Sequence, residues 1–124
     1  MEKINLSNLK LSYHCLHENK IRRKIINTVV GNNWGQIIKQ EWFKGAYRCL
    51  TDTGLIFIIS PECNMIMTYY LALAKVVQGM YDGNAPKYIL KRIKKNSSRY
   101  KMLYDEYMIN SREHEGRLKE AIYE

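Results

Sequence analysis

The chain has 124 residues, with 20 Lys and Arg against 12 Asp and Glu, a formal charge of +8. That length suits one domain burying about two-thirds of the surface of its unfolded chain, so neither metal nor disulfide is needed to hold it. Cys15, Cys49 and Cys63 are odd in number and lack CxxC spacing, against both a disulfide framework and a structural zinc site, and a reducing, cytoplasmic setting is expected.

No apolar run approaches the roughly 18 residues of a membrane span, and MEKINLSNLK lacks the apolar core of a signal peptide, so no membrane partner is expected. The positive balance favours nucleic acid or another acidic surface.

Residues 4–13 alternate irregularly in hydrophobicity and read as a short strand or an irregular arm. Over residues 16–30, Ile21, Ile25, Ile26 and Val29 recur at the spacing of an amphipathic helix, stopped by Gly31-Asn32-Asn33. Asn33 can cap a second helix over 34–43, with Ile37, Ile38 and Trp42 inward and Gly45 ending it.

The runs AYRCLT, LIFIIS and MIMTYY are rich in β-branched and aromatic residues and are separated by turn compositions, which predicts three strands in an antiparallel meander. Residues 71–81 read as helix, Pro86 opens a basic helix over 88–95, and Ser97 or Ser98 caps a last helix to about 122. The expected class is α+β: two N-terminal helices, a three-stranded antiparallel meander, then C-terminal helices. One domain results, with a core over 1–81 and a basic helical extension over 82–124.

His14 stands at the start of the first helix and Arg22 eight residues on, about two turns, where both can share a face. An imidazole can move a proton at the 2′-hydroxyl or the leaving oxygen of RNA, while a guanidinium holds the charge growing on the phosphate. Thr68 and Tyr70, two apart on a strand, can add hydroxyls toward the same phosphate. His17 competes with His14 for this role, and Arg23 with Arg22. The other reading of these residues is structural: a histidine capping a helix and a tyrosine packing on a sheet.

The series His14, Arg22 and Met65-Ile66-Met67-Thr68-Tyr69-Tyr70 resembles the barnase, EndoU, colicin and RelE superfamily of small RNase toxins over about residues 12–72. The resemblance implies a metal-independent endoribonuclease that needs no cofactor, with His14, Arg22, Thr68 and Tyr70 as its catalytic set. An antitoxin and a second copy of the chain are the candidate protein partners, and the sequence does not choose between them. Glu18 stands where the matching branch carries a second arginine, and the sheet's usual fourth strand can come only from the N-terminal segment.

Between residues 87 and 101 stand Lys87, Lys91, Arg92, Lys94, Lys95, Arg99 and Lys101, and no acidic residue. Seven of the eight net positive charges therefore sit in fifteen residues, interleaved with Tyr88, Tyr100 and, just beyond, Tyr104. This composition suits phosphate neutralisation with stacking of unpaired bases, and equally a solvated helix face whose lysine stems cover apolar surface. After Asp105 the signs mix, as on a helix that packs on the domain or in a homodimer.

Two functions compete on these grounds. One is RNA cleavage through His14 and Arg22. The other is a non-catalytic, phage-type protein whose basic C-terminal helices bind nucleic acid, RNA before DNA, or block a host nucleic-acid-handling complex.

Overall fold

A computed structural model describes residues 4–17 and 20–123, with side chains as far as residue 111. A 3₁₀ turn at Leu6–Asn8 leads into β1 (Lys10–Leu11), α1 (Tyr13–His17) and α2 (Lys20–Val29). Then come β2 (Ile37–Phe43), β3 (Ala46–Thr51), β4 (Leu55–Ile59) and β5 (Met65–Leu71). The chain closes with α3 (Ala74–Met80) and α4 (Lys87–Tyr123). Among the described residues no helix is long and apolar enough to cross a membrane.

The class is α+β, but the three-stranded meander is overturned by a five-stranded mixed sheet ordered β1-β5-β4-β3-β2. β2 to β5 run antiparallel in sequence order, and β1 adds parallel to β5. Residues 37–43, expected as helix, form edge strand β2 instead. The reason is a register shift between Ile37 and Lys39, which hides the two-residue period of a strand. Ile37 packs into the core on one face and Ile38 against the other. Trp42, expected inward, is 57% exposed.

Two apolar layers sandwich the sheet. On the first face Phe57, Ile59, Ile66 and Tyr69 meet Cys15 of α1 and Ile26 of α2. On the second, Leu50 and Ile56 meet Val77 of α3 and Ile89 and Ile93 of α4. Burying Ile89 completely contributes about 1.5–3 kcal/mol, which anchors the start of α4 on the sheet.

Ser12 shows how the first layer is fixed. Its hydroxyl accepts the Cys15 N–H (3.0 Å), capping α1, and donates to the Met67 carbonyl (3.0 Å), so the cap also anchors α1 on β5.

The two expected C-terminal helices are one helix of 37 residues, about 55 Å long. Ser97 and Ser98 lie inside it and are exposed, so neither interrupts the hydrogen-bonded ladder. This helix starts on the second face and passes the β3–β4 turn, where Asn96 donates to the Thr53 carbonyl (2.8 Å). It reaches the first-face layer at Tyr100. Gly54 makes that passage possible, because a Cβ there would lie 2.6 Å from the Asn96 amide nitrogen.

Candidate nucleic-acid interface

The inward side of α4 is set by Ile89, Ile93, Asn96 and Tyr100, spaced four, three and four residues apart. At 100° per residue this stripe leaves the seven cations on the other sides of the helix. Lys87, Lys91, Lys94 and Lys101 run along the back of α4. Arg92, Lys95 and Arg99 run along one flank behind Tyr88, and all seven basic side chains are exposed.

From Lys87 to Lys101 the array extends about 21 Å, with neighbours on each row one turn apart except Lys94 and Lys101, which are two turns apart. Among the described residues none of the seven forms an ion pair, whereas Arg48 is paired with Glu41. A phosphate docking here therefore displaces no described intramolecular ion pair, and the local positive potential stays open to it.

Tyr88 is 58% exposed beside Arg92 and Lys95. Farther along, Tyr100 and Tyr104 stack with ring centroids 6.2 Å apart, and burial pushes the Tyr100 phenol up despite the opposing charge of Arg22. Arg22 is thus near α4, on the helical layer of the first face.

The residues expected to form a catalytic set do not converge. His14 is exposed on α1 and Arg22 half-buried on α2, both over the first face. Thr68 and Tyr70 pair with Ile58 and Ile56, whose side chains line the second face. The sheet lies between the two pairs. The charge felt by Tyr70 is that of Arg48; burial raises its phenol and that guanidinium opposes the rise.

The tyrosine that does face α1 and α2 is Tyr69, whose hydroxyl donates to Asn27 Oδ1 (2.9 Å). The same oxygen accepts the Trp34 indole N–H (3.2 Å), and the Trp34, Phe57 and Tyr69 rings pack at 5.0–5.4 Å. A register shift between Ile58 and Ile59 decides which tyrosine faces α1 and α2. Arg23 is structural as well, since its guanidinium donates to the carbonyls of Cys15 and of Leu16 (3.2 Å) and so holds the end of α1 against α2. His17 stacks on Tyr13, with ring centroids 4.2 Å apart. Glu18 lies outside the described residues, as do the side chains of the mixed-charge tail beyond residue 111.

Sequence reasoning missed the tip of the β2–β3 hairpin. There Phe43 lies under the Arg48 guanidinium (3.9 Å to the ring centroid) and near the Lys44 ammonium (5.1 Å). Trp42 meets Tyr47 edge-on at 5.0 Å. The Lys-Gly dipeptide at 44–45, between aromatic runs, was the available signal.

Comparison with protein-family models, curated proteins and solved structures finds no match to this chain.

Proposed function

We propose that the protein binds single-stranded nucleic acid, RNA before DNA, through the first four turns of α4, and that binding rather than phosphodiester cleavage is its action. The observation that carries this reading is the array of seven exposed cations in two rows on α4, none ion-paired among the described residues. Phosphates neutralise such an array with release of condensed counterions. Tyr88 adds an exposed ring on which an unpaired base can stack, which favours a single strand over a duplex.

Cleavage by His14 and Arg22 has less support. The sheet separates both from Thr68 and Tyr70, so one phosphate cannot meet all four side chains on this fold.

Fluorescence anisotropy with a labelled 12-nucleotide RNA and its DNA counterpart, across a salt series, tests the reading. Affinity is expected to fall with salt at a log–log slope of about −0.7 per phosphate contacted. Changing Lys91, Arg92, Lys94 and Lys95 together to Glu is expected to abolish binding. Unchanged affinity in that variant, or RNA cleavage without metal that disappears in His14→Ala, would sink the proposal.

A further inference from the structure

Away from α4 the molecule has a cleft of about 660 Å³, a size suited to a small ligand. Asn5, Ser7, Asn32, Asn33 and Gln36 line it together with Trp34, and among the described residues none that lines it is charged. Its walls are fixed by backbone contacts. Asp52 Oδ1 accepts the Gln36 N–H (2.9 Å), and the Thr53 hydroxyl donates to the Trp34 carbonyl (2.8 Å).

The hydrogen-bonding capacity left over is unequal. Asn5 Oδ1 already accepts from the Ser7 N–H (3.1 Å) and hydroxyl (2.7 Å), and Asn33 Oδ1 from the Gly35 N–H (3.0 Å). The amide N–H groups of both residues therefore remain as donors, and the side chains of Asn32 and Gln36 are exposed. Neutral amides beside an indole complement a flat, uncharged group rich in carbonyl and ring-nitrogen acceptors. They offer a phosphate no countercharge.

The cleft is joined to the basic helix through one residue. Thr53 donates to Trp34 in the cleft wall and accepts from Asn96 of α4, and the Arg92 stem lies beside Gly54.

We infer that this cleft is a nucleobase subsite, taking one unpaired base of the strand whose phosphates lie on α4. The inference rests on the α4 reading for the strand and on the cleft alone for the base. Its consequence is a division of labour: α4 supplies salt-dependent affinity, and the cleft supplies base preference.

Titrating the ¹⁵N-labelled full chain with free adenosine, guanosine, cytidine and uridine tests the cleft without α4. At least one nucleoside is expected to shift the backbone amides of Ser7 and residues 32–37 saturably, while ribose 5-phosphate does not. The Asn32→Gly/Gln36→Ala variant, which removes both exposed amides while glycine keeps the φ of 58° at position 32 accessible, is expected to lose those shifts. The α4 charge-reversal variant is expected to keep them, which separates failure of the cleft from failure of the helix. On homopolymeric RNA the wild type is expected to prefer one base by about tenfold, and the cleft variant to lose the preference at unchanged salt slope. No nucleoside-induced shift at 7 and 32–37, an equal response to ribose 5-phosphate, or shifts that persist in the cleft variant would overturn the inference.

Discussion

Asn96 and Thr53 are 43 residues apart in the chain, yet the amide of one donates to the carbonyl of the other at 2.8 Å. Asn96 is 5% exposed, and its bond fixes where α4 crosses the end of the sheet. Replacing it with Ala leaves the Thr53 carbonyl without that donor, which costs about 1–3 kcal/mol. Gly54→Ala is expected to cost at least as much, since the new methyl group meets the Asn96 side chain and φ is 89° there. Urea unfolding measures both; a midpoint unmoved by Asn96→Ala would show that the crossing is held by apolar packing alone.

Phosphate contacts and stacking contacts leave different marks on binding. The Lys91→Ala/Lys94→Ala double variant is expected to reduce the salt slope by about 1.4, at roughly 0.7 per lost contact. Lys24→Ala, an exposed lysine of α2, is expected to leave the slope unchanged. Tyr88→Ala removes a stacking ring and should weaken binding by about 1–3 kcal/mol with no change in slope. Equal slopes for Lys24→Ala and the double variant would place the strand elsewhere on the molecule.

How far the sequence revealed this molecule can be argued from three places. The cations of α4 were legible because charge is local to sequence, and the 3.6-residue period turns a run into rows. Residues 37–43 were not, because the shift at Ile37–Lys39 gives a strand two successive apolar residues, as a helix would have. Tyr69 and Tyr70 were exchanged for a similar reason. Alternation says that adjacent tyrosines face opposite ways, but only the pairing of β4 with β5 says which of them faces α1 and α2.

That exchange has a measurable side. Tyr69→Phe removes a buried hydroxyl's bond to Asn27, for which about 0.5–1.5 kcal/mol of stability is expected to be lost. Tyr70→Phe removes a hydroxyl with no described hydrogen bond and is expected to stay within about 0.5 kcal/mol of wild type. Chemical denaturation of the two variants side by side decides it; the reverse order would place Tyr70, rather than Tyr69, on the α1–α2 side of the sheet.

Lys44 turns the β2–β3 hairpin at φ 51°, followed by Gly45 at φ 81°. Two positive φ values match the twist of the flanking strands, but a lysine tolerates this conformation poorly compared with asparagine. Lys44→Asn is expected to stabilise the fold by about 0.5 kcal/mol, less whatever the Lys44–Phe43 contact contributes. Its thermal midpoint would rise by a few degrees on the scale of about 4–8 °C per kcal/mol for small domains. A lower midpoint would mean that the ammonium over Phe43 outweighs the backbone preference.

Burial gives the alkaline limb of stability its sign. Cys49 is fully buried, and desolvation pushes its thiol up to about 12 from an ordinary 9.0. In the unfolded chain the thiol ionises near 9.0, while in the folded chain it stays protonated, so between these values the native state holds the extra proton. Stability is therefore full below pH 9 and falls as pH rises toward 12, by about 1.4 kcal/mol per unit for this one group. The phenols of Tyr69 and Tyr70, also raised by burial, steepen the same limb. Cys49→Ala is expected to lower stability at pH 8 through the lost packing but to flatten the decline between pH 9 and 11. Urea unfolding at unit pH steps, with the thiols kept reduced, measures both slopes; parallel curves for variant and wild type would show that Cys49 ionises within the folded sheet as readily as outside it.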